Sequence, residues 1–377
     1  MKTTPNSAGN NGVSVNADTG ISVVGIAVGF AKSDAFAGAG SAVVNQVGCT
    51  TTALIENSNI TTSDAGSTPA AVVVAAADVV DVTSLTGAFA FGLSYGGVGI
   101  SLGLNLVEES VTAQVNHSNI TIPSGDLHVT ADSRTIFTNV AVSGAISNGY
   151  GAYVGSGAED ISHTSTSASL DGLAGDEIVA NGNIVVAATS KLTQTGIAGA
   201  VAGSPEALAL GISNVTISTS NTTTATIGDG LLVIGRGTVP STYTDISATN
   251  ANGDLLTRSV QGISVSAVSI QQLTEDTTTL SGGSAGLAGS GSVALIGQPD
   301  APETTQASVG LSALNVEKSF GPSALLNKTT LDLGYHHAFF TGQPLVYNKG
   351  SGAALSGLTD GATYFAIVNG INLTHVA

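Results

Sequence analysis

Apolar residues recur at every second position along the chain, and one seven-residue alternation, aliphatic-x-Val-x-Ala-x-Ser/Asp, returns four times. It reads VVVAAAD (72–78), LHVTADS (127–133), IVVAATS (184–190) and ISVSAVS (263–269), at spacings of 55, 57 and 79 residues. A period of two marks a half-buried strand. No window holds an apolar stripe of period 3.6, so helices are expected to be rare. Each copy is followed by a Gly/Ala-rich segment, such as GAFAFGLSYGGVG, and an earlier one at 25–44 belongs to a first, incomplete unit.

A second echo sits between these copies. ALIENSNITTS (53–63) and AQVNHSNITIP (113–123) share Ser-Asn-Ile-Thr and the aliphatic alternation before it. TSTSASLDG and TTTATIGDG read as degenerate versions, and ALLNKTTLDL (324–333) as a weaker copy. The repeating unit is therefore a Gly/Ala-rich pair, an aliphatic strand, a Thr/Asn strand and a Val-x-Ala strand, separated by turns such as DGLAGD, NGN and NANGD. Units this small bury an apolar face only by stacking on neighbours. The expected fold is all-β: a repetitive parallel β-solenoid (β-helix) with a small C-terminal β-module, two or three coils per repeat. The alternative is a string of antiparallel β-sandwich repeats. The expected division is a flexible polar arm at 1–19, a solenoid at 20–334 with units of about 55–80 residues, and a β-module at 335–377 that reads as truncated.

Composition sharpens this picture. Among 377 residues there are 49 glycines and no tryptophan, and aromatics make up 4%. Such a chain favours a thin interior filled by small side chains. Acidic residues outnumber basic ones 26 to 9, for a net charge of −17, so no basic surface is available to neutralise phosphates and nucleic acid is not an expected partner. The uncharged stretch 87–107 imitates a membrane span. It is rich in Gly, and equivalent segments carry Lys32, Asp34, Glu159 and Glu206; the reading is a buried strand pair and no membrane span. The lone Cys49 lies in QVGCTTTA with no His or basic neighbour, which suits a small apolar or turn residue.

Candidate chemistry is sparse. His336 and His337 are adjacent, and adjacent strand residues point to opposite faces; His117, His128 and His163 fall in different repeats. Asp171, Asp176 and Glu177, with Asp160 nearby, form the densest acidic cluster, for which calcium is the one cofactor worth considering; solvated turn acids are the simpler reading. Tyr150 and Tyr153 beside Glu159 and Asp160 come closest to a glycan-cleaving pair of carboxylates. No catalytic, cofactor or metal residue is assigned, and no enzyme activity is expected. The sequons, Asn59, Asn116 and Asn119 among them, read as strand and turn ladders. TISTSNTTTATIG (216–228) evokes the Thr arrays of ice-binding solenoids, but as a local run it lacks Thr at matched places in successive coils.

The repeats TALIENSNIT, VTAQVNHSNIT and LHVTADS, with their Gly/Ala stretches, resemble very large secreted bacterial adhesins of the filamentous-haemagglutinin and leukotoxin type. The tail, TGQPLVYNKGSGAALSGLTDGATY, resembles a module of giant bacterial repeat proteins. The resemblance implies an extracellular or cell-surface β-solenoid scaffold with adhesive or fibre-building roles. The partners it implies are further copies of the chain stacked head to tail, and a cell-surface glycan or protein. The alternatives carried forward are a carbohydrate-processing β-helix and an ice-binding solenoid.

Overall fold

The computed structural model describes residues 12–62, 70–249, 255–297 and 301–314, with short stretches between 325 and 376. Every regular element among them is a strand. Two strands of 21 residues, β1 (Val13–Ser33) and β2 (Phe36–Glu56), meet at a corner, and short β3 (Asn59–Thr61) turns the chain back. The same triplet returns as β4 (Val72–Gly92), β5 (Gly96–Asn116) and β6 (Asn119–Ile122), then as β7 (Leu127–Ser147), β8 (Gly151–Asp171) and β9 (Glu177–Ala180). In the fourth coil the two long strands run on as β10 (Ile184–Ile227), followed by β11 (Leu232–Gly235). An antiparallel hairpin, β12 (Ser241–Thr249) and β13 (Leu255–Val260), precedes the fifth coil, which is β14 (Ile263–Ile296), β15 (Thr304–Val309) and β16 (Ala313–Leu314).

The chain is thus a parallel β-solenoid with two wide sheets and one narrow one. Sheet A stacks β1, β4, β7 and the first halves of β10 and β14; every pair is parallel and in register. Sheet B stacks β2, β5, β8 and the second halves of β10 and β14, with β15. The narrow sheet is β3-β6-β9-β11-β16. The Val-x-Ala motif becomes two interior ladders, Val15–Val74–Val129–Val186–Val265 and Ala17–Ala76–Ala131–Ala188–Ala267. The Ser-Asn-Ile-Thr echo becomes the pairing of β3 with β6, Asn59 opposite Asn119.

The expected two or three coils per repeat is corrected to one. Strands in globular proteins usually run about 5–6 residues; strands of 21 residues use up a whole repeat in a single turn. The long interval before the last Val-x-Ala copy is the β12–β13 hairpin, whose Tyr243 covers Val185 and Ala187 on the outside of sheet A. The Tyr243 and Ser266 hydroxyls lie 3.0 Å apart there.

In cross-section the solenoid is a wedge. At the base, where the narrow sheet closes the triangle, Leu127, Ile120, Leu170, Ile178, Ile184 and Ile227 fill the interior. Midway, Val82, Phe137 and Leu192 suffice. At the apex the buried apolar cluster is almost all alanine, Ala90, Ala145, Ala152, Ala200 and Ala209 among them, with Val154 its largest member. A Cβ on Gly99 would stand 2.5 Å from the Gly144 carbonyl oxygen of the opposite sheet, so the backbones approach there too closely for any side chain.

Three sequence expectations change. The stretch 87–107 is a strand pair, but toward the corner only its small residues, such as Ala88, Ala90, Gly97 and Gly99, face inward, with Asn105 and Val107 following at its far end. Its large ones face out: Phe89, Ile100 and Leu102 are 38%, 48% and 54% exposed. Residues 13–19, assigned to a flexible arm, are the start of β1; residues 1–11 lie outside the described residues. ALLNKTTLDL, read as a repeat copy, holds two antiparallel strands, β17 (Leu325–Asn327) and β18 (Thr330–Asp332). Further along, β19 (Pro344–Val346) pairs antiparallel with β20 (Thr363–Phe365), and β18 pairs antiparallel with β21 (His375–Val376). Around the LTDG turn, Lys349 N donates to Asp360 Oδ1 at 3.0 Å, and Thr359 N to the Tyr364 hydroxyl at 2.8 Å.

Candidate functional site

The residues nominated for glycan cleavage do not converge. Period-two alternation along β8 sends Tyr153 and Glu159 to the outer face and Asp160 to the interior, where it is 1% exposed. Two carboxylates on opposite sides of one sheet cannot flank one glycosidic bond. Tyr150 lies at the apex corner, stacked on Tyr95 with ring centroids 5.8 Å apart.

Asp160 belongs instead to a buried polar belt joining the two sheets. Asn45, Asn105 and Asp160 are ladder neighbours in sheet B; Ser84 and Asn139 face them from sheet A. Asn45 Nδ2 donates to Ser84 Oγ at 2.9 Å and to Asn105 Oδ1 at 3.0 Å. Asn105 Nδ2 donates to Asp160 Oδ1 at 2.8 Å, and Asn139 Nδ2 donates to the same oxygen at 3.0 Å. Gly103 makes room for Asn139, whose Nδ2 also donates to the Gly103 carbonyl at 3.0 Å. Burial pushes the Asp160 carboxyl up to about 6, since a charge between the two sheets loses its hydration and the two amide hydrogen bonds only partly offset this.

Two more acids continue the belt toward the base. Glu109 accepts from Ser133 Oγ at 2.7 Å and Thr135 Oγ1 at 2.5 Å, both across the sheets. Asp78 accepts from Cys49 Sγ at 3.0 Å. Burial raises the proton affinity of both acids above that of a free carboxylate. Burial, reinforced by the Asp78 hydrogen bond, pushes the Cys49 thiol up to about 12. Cys49 is therefore a strand residue facing inward, not a turn residue, and it stays a thiol. Hydroxyls, amides and one thiol are the hydrogen-bond partners of these three acids.

Outside sheet B, toward the base, lies a face of hydroxyls. One column reads Thr50–Ser110–Ser165–Thr222–Thr304 and its neighbour Thr52–Thr112–Ser167–Thr224–Gln306. Thr224 Oγ1 donates along the column to Ser167 Oγ at 3.1 Å. A shallow groove of about 530 Å³ crosses the first column, flanked by Glu108 and His163. The sequence reading treated the Thr run as local. Coil register corrects this, since Thr or Ser stands at matched places in successive coils. Spacings of 55–60 residues carried the signal over the first four coils: Ser41, Ser101, Ser156 and Ser213 likewise form one inward-facing ladder, which Ser290 continues 77 residues on, past the hairpin.

The other nominated acids flank one turn: Asp171 ends β8, Asp176 lies in the turn and Glu177 opens β9. Asp171 accepts from Gln114 Nε2 at 2.9 Å and Ser169 Oγ at 2.6 Å, and Asp176 accepts from Leu173 N at 2.7 Å. Asp160 lies inside the solenoid, apart from them. Among the described residues no three His, Cys, Asp or Glu side chains converge as metal ligands. His117 sits at a corner with φ 45°, its ring 3.9 Å from Asp176, while His128 is 3.6 Å from Asp126. His163 flanks the outer groove, and His336 and His337 lie outside the described residues. Asn119 Oδ1 accepts from Glu177 N at 2.8 Å and Asn116 Nδ2 donates to Glu56 at 3.2 Å, both between neighbouring coils. Among the described residues no helix is long and apolar enough to cross a membrane.

Comparison with protein-family models, curated proteins and solved structures returned no match.

Proposed function

We propose that the chain is a non-catalytic, fibre-building and adhesive scaffold of a bacterial surface or extracellular filament. One observation carries this reading: the two ends of the coil stack present compatible strand edges. Among the described residues β1 pairs only with β4, β2 only with β5, and β14 only with β10. A strand edge is a template for another strand. The interior columns of the last coil, Ile263, Val265, Ala267 and Ser269, match in size and polarity those of the first, Val13, Val15, Ala17 and Thr19. A second copy added head to tail continues the same ladders. The hydroxyl face outside sheet B repeats at each coil, roughly every 4.8 Å, and offers a polyvalent surface to a cell-surface glycan or protein.

Electron microscopy and light scattering across protein concentration and ionic strength test this. Fibres that lengthen with protein concentration, favoured by salt that screens the net charge of −17, are expected. A uniform monomer at high concentration in low and high salt eliminates head-to-tail assembly. Turnover of a polysaccharide that is lost in Glu159→Gln overturns the non-catalytic reading.

The in-register hydroxyl columns favour a second reading, an ice-binding face. Ordered hydroxyls at a fixed two-dimensional repeat can anchor ordered water, and the columns meet that geometric need. Thermal hysteresis abolished by Thr52→Tyr and Thr112→Tyr is its expected signature; its absence in the wild-type chain removes it.

A further inference from the structure

The apex half of sheet A inverts the usual solenoid arrangement. Its inner columns are Gly, Ala, Ser and Thr, while its outer columns carry Ile26, Phe30, Leu85, Phe89, Ile146 and Val201. These side chains are exposed by 65%, 68%, 41%, 38%, 46% and 48% respectively. The rings of Phe30 and Phe91 contact one another on this face, centroids 5.5 Å apart, and Phe89 lies over the bare backbone of Gly144. From the Val24 column to the corner, across the first four coils, Lys32 is the sole charged outward residue. In the fifth coil the patch narrows: Asp276 and Thr278 occupy two of its columns, and Leu280 alone continues that of Phe30 and Val201, while the Val24 column is already Thr83, Thr138 and Thr195 in coils two to four.

We infer that this face is an interface with a second copy of the chain, paired side by side through sheet A. Three observations point to that occupant. Contiguous apolar patches of this extent mark interaction sites on soluble proteins. Four coils at ~4.8 Å and five outward columns at ~6.8 Å give roughly 650 Å² per copy, or about 1,300 Å² buried by a pair, within the range of specific interfaces. A chain of net charge −17 repels its own copies wherever its charge is exposed, and this face is the one wide surface of sheet A free of acids. A two-fold pairing sets ridges such as Phe30 and Phe89 against the shallower column of Gly87 and Gly199. The pairing is lateral and independent of head-to-tail growth, which uses strand edges.

The experiment compares the full chain with Ile26→Asp/Val201→Asp by sedimentation equilibrium, circular dichroism, electron microscopy and flotation with phosphatidylcholine vesicles. Both substituted positions point outward, and Asp276 already occupies the column of Ile26, so the fold is expected to keep its spectrum and melting temperature. The wild-type chain is expected to form a dimer, or paired fibres, that the variant weakens at least ~100-fold, leaving single-width particles. A second pair, Ser14→Asp/Asn16→Asp, on the polar half of the same sheet, is expected to leave pairing unchanged. The inference fails if the variant pairs as tightly as the wild type, or if wild-type particles are always single. It fails equally if the wild-type chain floats with vesicles as a monomer and the variant does not, which assigns the face to lipid.

Discussion

Asn139 and Asp160 meet across the interior from opposite sheets. Asn139 Nδ2 donates to Asp160 Oδ1 at 3.0 Å, while Asp160 Oδ2 and Asn139 Oδ1 are buried with no hydrogen-bond partner. Two orphaned acceptors in one slot are costly, and a proton on Asp160 relieves the cost. Asp160 is raised from 3.8 to about 6, so between these values the folded state holds more protons than the unfolded one. Stability contributed by this group is therefore full at acid pH and is lost as pH rises through about 6. The loss is about 3 kcal/mol for a shift of this size. Asp78 and Glu109 shift in the same direction and add to it, while Asp126, lowered by His128, opposes it. Urea melts from pH 4 to 8 should show stability falling with pH, and Asp160→Asn should flatten the slope and raise stability at pH 7.5.

The apex glycines should rank by what a Cβ would strike. At Gly99 it would stand 2.5 Å from the Gly144 carbonyl, and at Gly97 3.0 Å from the Ile146 carbonyl. At Gly20 nothing lies within 4 Å. Thermal melts should show Gly99→Ala costing about 1–3 kcal/mol, Gly97→Ala less, and Gly20→Ala nothing. Equal melting temperatures for all three would mean that the sheets do not meet there.

Phe137 is the largest side chain fully enclosed by the coils, packed with Val82 and Leu192 where the wedge narrows. Phe137→Ala should cost about 3–5 kcal/mol, because flanking strands locked in register cannot collapse into the space. Denaturant midpoints measure this.

Cys49 should resist alkylation. With its thiol pushed up to about 12 and donating to Asp78, the nucleophilic thiolate is scarce near neutral pH. Iodoacetamide at pH 8 should label the native chain at least ~100-fold more slowly than the urea-unfolded chain. Equal rates would place the thiol in solvent.

Much of the fold was legible in the residues. Alternation along VVVAAAD and its copies determined that the segments are strands, and their recurrence determined that like residues stack: Val15 on Val74, Ala17 on Ala76, Asn59 on Asn119. Ser41, Ser101 and Ser156 were equally readable as a ladder at the same spacing. What alternation does not carry is phase. It says that Ala88 and Phe89, or Glu159 and Asp160, point to opposite faces, not which face is inside. Hydrophobicity alone puts Phe89 inside and leaves Asp160 in solvent, and the fold does the reverse. Phase is decided by the spacing between the sheets, which is set by how the whole coil closes: a narrow third sheet holds the base open for Ile and Leu, and the corner pinches the apex until little larger than Gly, Ala and Ser fits. Strand length escaped the sequence for the same reason, since a segment of 21 residues reads as two or three ordinary strands until its neighbours in adjacent coils hold it straight.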